Sequence, residues 1–175
     1  LSYTWGRRRR QPLVKTTGLR KGYKVFGAIE FFSGRLVYQG TEERFQSHSY
    51  QAFLLHLLSQ VSSKVSLIQD GARYHTSKAT REFFEQHKDR LIVHQLPSYS
   101  PDYNPIEYLW KKVKTAATHN RYFHEFVKLI ASVDKALDVL SAQANEILRL
   151  MGIYTIPVSF FERDPITIGW HYPIL

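Results

Sequence analysis

The stretch "KVSLIQDGARYHTSKATREFFEQHKDRLIVHQL" (64–96) sets two short apolar runs on either side of a helical pattern. The first run, 64–70, has the length of a strand and closes on Asp70. Residues 76–88 read as a helix, with Thr76 or Ser77 as its cap. Residues 90–96 return to a strand. A helix between two strands is a β-α-β unit, and such crossovers join parallel strands. The chain is therefore expected to be α/β, with helices flanking a mixed sheet.

The neighbouring segments extend that reading. "YKVFGAIEFF" (23–32) and "RLVYQG" (35–40) are rich in β-branched and aromatic residues and predict a hairpin turning at Ser33-Gly34. In 49–61, Tyr50, Phe53, Leu54, Leu57, Leu58 and Val61 recur at helical spacing, with Ser49 as the expected N-cap. A further helix is expected from about Pro105. One long amphipathic helix is expected over 124–151, stopped by Gly152 as its C′ residue. Residues 1–152 form one domain in this reading. Residues 153–175, interrupted by proline and without a clear period, are read as an irregular tail.

The chain has 175 residues, of which 43% are hydrophobic and 14% aromatic, enough for one domain with a real core. It contains no cysteine, which excludes disulfide scaffolds, cysteine–zinc sites and thiol nucleophiles. No apolar run has the length of a membrane span, so no membrane partner is expected. The expected compartment is the cytoplasm. The net charge is +9 and the pI about 9.8. A basic domain of this kind suits a polyanion partner, since each neutralised phosphate releases counterions; a merely solvated basic surface is the alternative. The chain starts at Leu1 and its one methionine is Met151, so it reads as part of a longer protein.

Two carboxylates stand out. Asp70 closes a strand, and ligands of α/β sheets gather at the carboxyl ends of strands. The alternative is an aspartate that only shapes the turn into Gly71. Glu107 lies in "LPSYSPDYNPIEYLW" (96–110). Asn104 is a good N-cap, Pro105 suits N1, and Glu107 would then be N3, the usual partner in a capping box. Yet Pro97, Pro101 and Pro105 each fix φ and restrict the residue before them, a rigidity that would aim Glu107. The two readings are compatible. One helix, one strand and one loop separate Asp70 from Glu107, enough chain to return to the same end of a sheet. Paired carboxylates there offer hard oxygen ligands suited to Mg2+ or Mn2+. Beside a basic surface, such an ion suggests phosphodiester chemistry.

"LIQDGARYHTS", "LPSYSPDYNPIEYLWKKVK" and "ATHNRYF", with "YTWGRRRRQP" and "GYKVFGAIEFFSG" upstream, resemble the catalytic domain of insertion-sequence transposases. The closest group is the bacterial insertion-sequence-630 family, relatives of the mariner elements. The resemblance covers roughly residues 3–150. It implies a ribonuclease-H-like fold with a DDE or DDD acidic triad, in which Asp70 matches the second acid and Glu107 the third. It further implies two Mg2+ or Mn2+ ions about 4 Å apart, one activating water or a DNA 3′-hydroxyl and the other stabilising the leaving oxygen. The implied reaction is cleavage and joining of DNA in transposition. The implied partners are double-stranded DNA, at the element ends and the target, and a second copy of the chain in a homodimer. The implied location is the cytoplasm, at the nucleoid.

This sequence departs from the family pattern in four places. The first aspartate of the triad is expected on a strand shortly before Tyr3. That strand is central in such sheets, so a gap is expected between the hairpin and the strand ending at Asp70. With two carboxylates, the chain alone is expected to bind one metal weakly and to catalyse little. No N-terminal helix-turn-helix region corresponds to the family's. Gly71 stands where an asparagine is common, and Arg9 where a glycine is common.

Arg7, Arg8, Arg9 and Arg10 could clamp phosphates, as could Lys111 and Lys114, which lie on the Glu107 side of their helix. Each could equally be a solvated charge. Trp110 is read as core. His75 either supports a carboxylate or only enters its helix, and His119 and Asn120 either support the fold or lie beside DNA. Two other readings stay open: a non-catalytic DNA-binding or assembly remnant of a transposase, and a different ribonuclease-H-like nuclease.

Overall fold

The computed structural model describes residues 21–97, 104–152 and 166–174. A single five-stranded sheet runs through it: β1 (Tyr23–Glu30), β2 (Leu36–Thr41), β3 (Val65–Gln69), β4 (Leu91–Gln95) and β5 (Ile166–Ile174), in the order β2-β1-β5-β3-β4. Five helices accompany it: α1 (Ser47–Ser59), α2 (Lys78–Gln86), α3 (Ile106–Ala117), α4 (Phe126–Ser141) and α5 (Ala144–Leu150).

The predicted β-α-β unit is present as β3-α2-β4, with β3 and β4 parallel from Val65–Leu91 to Gln69–Gln95. Ser77 caps α2, accepting a hydrogen bond from the Thr80 amide at 3.2 Å. The predicted hairpin is also present. Gly34 holds it at φ +70°, a left-handed conformation that glycine adopts without Cβ strain.

Alternation along β1 divides the core into two layers. Val25 and Ile29 pack with Ile106, Leu109, Trp110 and Val113 of α3 and with residues of α4 and α5. Phe26 and Ala28 pack on the other face with α1, α2 and the inner residues of β3 and β4. Gly27 lies on the α3 face, where a Cβ would come within 2.6 Å of the Trp110 ring. The absent side chain of Gly27 is thus what allows Trp110, fully buried, to reach the sheet. Two tyrosine–aspartate hydrogen bonds tie α4 to the hairpin: the Tyr23 hydroxyl donates to Asp134 at 2.7 Å and the Tyr38 hydroxyl to Asp138.

Four expectations need correction. The position between β1 and β3 is not a gap: β5 fills it, antiparallel to β1 over eight pairs and parallel to β3 over three. Residues 166–174 are therefore a central strand and not part of an irregular tail. The long helix over 124–151 is two helices, because the backbone turns at Gln143 (φ −117°, ψ 59°). The turn brings α5 back against the hairpin, where the Ala144 carbonyl would lie 2.4 Å from a Cβ on Gly34. Finally, α1 begins earlier than expected. Gln46 is its N-cap, and Ser49, at N3, closes a capping box by accepting from the Gln46 amide at 3.1 Å.

Candidate metal centre

β3 ends one residue before Asp70, so the aspartate leaves the sheet at the carboxyl end of a buried strand. The five residues that follow, Gly71 to His75, then fold back on it. The Asp70 carboxylate (Oδ1) accepts the Ala72 amide at 2.9 Å, an Asx turn. It also lies 2.7 Å from Nδ1 of His75. The same Nδ1 is 3.1 Å from the Asp70 carbonyl oxygen. Both neighbours of Nδ1 are acceptors, so that nitrogen carries the hydrogen and donates. His75 is 1% exposed, whereas the Asp70 side chain is 40% exposed. The aspartate is held from the protein side and is partly exposed.

A further layer supports the histidine. Its ring lies 4.3 Å from that of Tyr50 and 4.4 Å from that of Tyr74. The Tyr50 hydroxyl donates to the Gln69 side chain, which is itself 2% exposed. Burial, and then the charge of Asp70, push the Tyr50 hydroxyl well above its ordinary pKa, so it remains a donor.

Glu107 comes from the first turn of α3. Pro105 is the N-cap (φ −64°), and no side-chain cap is made, so the expected capping box is not formed. The Glu107 carboxylate instead receives a long hydrogen bond of 3.4 Å from the Asn104 side-chain amide, and Asn104 is buried. Asn104 thus supports the glutamate, with its side chain on Glu107 instead of on the helix amides. Burial raises the pKa of Glu107, the negative charge of Asp70 raises it further, and Lys114 opposes both. The charge of Asp70 thus reaches Glu107.

Two like charges that raise one another's cost of ionisation are what a cation relieves. The donors are oxygen only, which fits Mg2+ or Mn2+ and not a soft metal. Among the described residues, no group of three or more His, Asp or Glu side chains is placed to hold a metal ion. Asp70 and Glu107 are therefore the described residues that could hold such an ion.

The other candidates divide. Lys114, one helical face along from Glu107, acts on it electrostatically. Lys111 is exposed on the same helix. Lys112, between them, instead pairs with Glu146 and ties α3 to α5. Trp110 is core, as expected. Asn120 follows α3 at φ +55°, a position that reverses the chain. Arg7, Arg8, Arg9, Arg10 and Pro101 lie outside the described residues. Gly71 has a local reason: a Cβ there would lie 3.0 Å from the Gln95 side-chain amide.

Sequence reasoning missed Tyr50 and Gln69. Tyr50 was counted only as one of an apolar helical stripe. Gln69 carried a usable signal, since a polar residue late in an apolar strand must find a buried partner.

A family model described as "DDE superfamily endonuclease" matches residues 1–130. The chain is 33% identical over 173 residues to the Tc3 transposable-element transposase of Caenorhabditis elegans, covering 94% of this chain and 52% of that protein. It is 31% identical over 98 residues to the Tcb2 transposase of Caenorhabditis briggsae, covering 50% of this chain and 35% of that one. The chain thus spans about half or less of the relatives it matches. Among solved structures, the Mos1 strand transfer complex matches with a TM-score of 0.63 at 20% identity, over 87% of this chain and 45% of that one. The catalytic domain of the Mos1 mariner transposase matches with a TM-score of 0.51 at 21% identity, over 74% and 76%. At such identities the likeness bears on the fold, and the expected ribonuclease-H-like α/β architecture is borne out.

Proposed function

Since the chain belongs to the DDE superfamily endonucleases, we propose that it is the catalytic domain of a transposase that cuts and joins double-stranded DNA with Mg2+ or Mn2+. The observation that supports this reading is that the charge of Asp70, just past the end of β3, acts on Glu107 in the first turn of α3. When bound, the metal would supply Lewis-acid polarisation of the phosphodiester and a nucleophile at neutral pH. The protein's own part is to hold two oxygen donors in place. Asp70 is fixed by the Ala72 amide and His75, and Glu107 is set by the start of α3. Lys114 and Lys111, on the α3 side of the site, suit the phosphate backbone, as do Arg7 to Arg10.

The finer reading follows the motifs. "LPSYSPDYNPIEYLW" is the feature that favours the insertion-sequence-630 group of bacterial elements, and with it a cytoplasmic, nucleoid-associated protein that works on element ends and target as a homodimer. The Mos1 structure is of a strand transfer complex, which supports DNA as the partner.

A second reading has one observation in its favour. With two carboxylates and no larger ligand group among the described residues, the domain can serve as a DNA-binding or assembly remnant. Nicking of a supercoiled plasmid in Mn2+, alongside binding of a duplex oligonucleotide, separates the two. Metal-dependent nicking that disappears in Asp70→Asn supports the enzyme. Duplex binding without nicking at any Mn2+ concentration supports the remnant.

A further inference from the structure

The chain entering α1 and the chain entering α2 are joined beside Asp70. The first carries Arg44, Phe45 and Ser47, and the second Arg73, Tyr74 and Ser77. The Phe45 and Tyr74 rings stack, with centroids 5.8 Å apart, and both lie against Phe26, at 4.7 and 6.3 Å. The Ser47 and Ser77 hydroxyls share a hydrogen bond of 2.8 Å. These contacts set the joined segments on the α1/α2 face of the sheet, across from α3. The residue before each stacked ring is an arginine, and both Arg44 and Arg73 are exposed. Among the described residues, neither side chain has a carboxylate or carbonyl partner. Arg35 and Arg90 differ. Arg35 donates to the Gln60 carbonyl and Arg90 to the Leu58 carbonyl, each at 3.2 Å, and both close the end of α1. Of the carboxylates near Arg44 in sequence, Glu43 is bonded to His48 at 3.2 Å, and the charge of Glu42 acts on Tyr23. Arg73 directly follows Ala72, whose amide is bonded to Asp70. It is therefore held at the rim of the candidate metal centre, on the other face of the sheet from Lys111 and Lys114.

We infer that Arg44 and Arg73 form a second phosphate grip, and that DNA entering the Asp70–Glu107 site runs from the α3 lysines across the end of the sheet to this pair. This rests on the reading of the chain as a DNA-cutting domain. A guanidinium matches a phosphodiester with two parallel hydrogen bonds. The stacked rings and the serine pair brace the backbone under both arginines, so less freedom is lost when they bind. Backbone contacts set the register and orientation of a nucleic acid. Grips on two faces of the sheet fix the direction in which the strand crosses the carboxylates, which lysines on one face alone do not.

The test is titration of a fluorescent duplex oligonucleotide with the full chain, read by anisotropy in EDTA over a range of NaCl concentrations. Arg44→Gln and Arg73→Gln are each expected to weaken binding by about three- to tenfold near 0.1 M salt and to lower the salt slope by about one. The double variant should lower the slope by about two. Arg81→Gln, an exposed arginine of α2 outside the joined segments, should leave the slope unchanged. If Arg44→Gln and Arg73→Gln bind like the wild type, or if Arg81→Gln loses as much as they do, the inference fails and the DNA reading stands. If the wild type binds no duplex at any salt concentration, the DNA reading itself fails, and the inference with it. A second measurement needs no variant. Phenylglyoxal, which modifies exposed arginines, should react more slowly at Arg44 and Arg73 of the wild type when duplex is bound, and at an unchanged rate at Arg81. Equal protection of Arg81, or none at Arg44 and Arg73, overturns the inference even if the variants do not fold.

Discussion

Asp70 and Glu107 reach the same region with different amounts of support. Asp70 is fixed by an amide at 2.9 Å and by a buried histidine at 2.7 Å, and that histidine packs against two tyrosine rings. Among the described residues, Glu107 has one hydrogen bond, of 3.4 Å from Asn104, and its main electrostatic partners are Asp70, which disfavours its charge, and Lys114, which favours it. The difference teaches a division of labour. One carboxylate is set before any ligand arrives. The other is positioned by its helix and keeps its charge most readily once a cation is present. Rigid support lowers the ordering cost of binding, while a half-free ligand lets coordination adjust as the substrate changes.

Removing the carboxylates is the strongest way to break the comparison. Asp70→Asn is expected to weaken Mn2+ binding and plasmid nicking by more than about a hundredfold, beyond the range seen when only a supporting group is lost. Glu107→Gln should abolish nicking as well but leave more residual ion binding, because Asp70 stays in place without it. Equal loss of binding in both variants, by calorimetry, would contradict the asymmetry.

The supports test it next. His75→Ala should weaken ion binding by about ten- to a hundredfold, the usual cost of removing a group that orients a ligand. His75→Asn, which can donate a hydrogen from nearly the same position as Nδ1, should recover part of it. Asn104→Ala, which removes one long hydrogen bond, should change binding by less than about threefold. An Asn104 effect as large as that of His75 would show that Glu107 is held as firmly as Asp70.

The wall behind Glu107 comes third. Gly27→Ala puts a methyl group where the Trp110 ring lies at 2.6 Å, and backbone and ring must shift. Overpacking of this kind costs about 1–3 kcal/mol, measurable by denaturant unfolding. Because Trp110 sits one turn after Ile106 on α3, the shift should disturb Glu107 more than Asp70.

The same contrast explains how much could be read from the sequence. Asp70 and its surroundings are local: an apolar run, an aspartate, a capped helix, a second run. Periodicity and caps were enough to place β3, α2 and β4, and of the two caps expected for α2, Thr76 or Ser77, it is Ser77 whose hydroxyl reaches the amide three residues away. Glu107 was placed, but its partner was not, since both a capping box and a support from Asn104 satisfy the same "NPIE" spacing. β5 was missed altogether. Its Pro173 argues against a central strand, because proline has no amide to donate. In the sheet, Pro173 lies beyond the three residues of β5 that pair with β3, so the missing donor is tolerated there. The break between α4 and α5 was equally hidden, because both halves keep apolar residues at helical spacing and only the backbone at Gln143 departs.

The smallest expected effect concerns pH. Burial and Asp70 hold the Glu107 pKa above its ordinary value of 4.5, so the folded, metal-free protein binds this proton more tightly than the unfolded chain does. The stability contributed by Glu107 is therefore fully present below the unfolded pKa and is lost as pH rises through the raised one. Above that window, the metal-free fold carries an ionised glutamate that it disfavours. Glu107→Gln removes this cost, so the variant's denaturation midpoint without metal should fall less than the wild type's between pH 4 and pH 7, roughly the window on either side of an ordinary carboxylate. Half-exposure and Lys114 both keep the difference small. Adding Mn2+ should reverse the order at pH 7, since the ion stabilises only the chain that keeps both carboxylates. If wild type and variant lose stability in parallel across the window, and Mn2+ does not separate them, Glu107 is neither strained by Asp70 nor relieved by the ion, and the two carboxylates do not form one site.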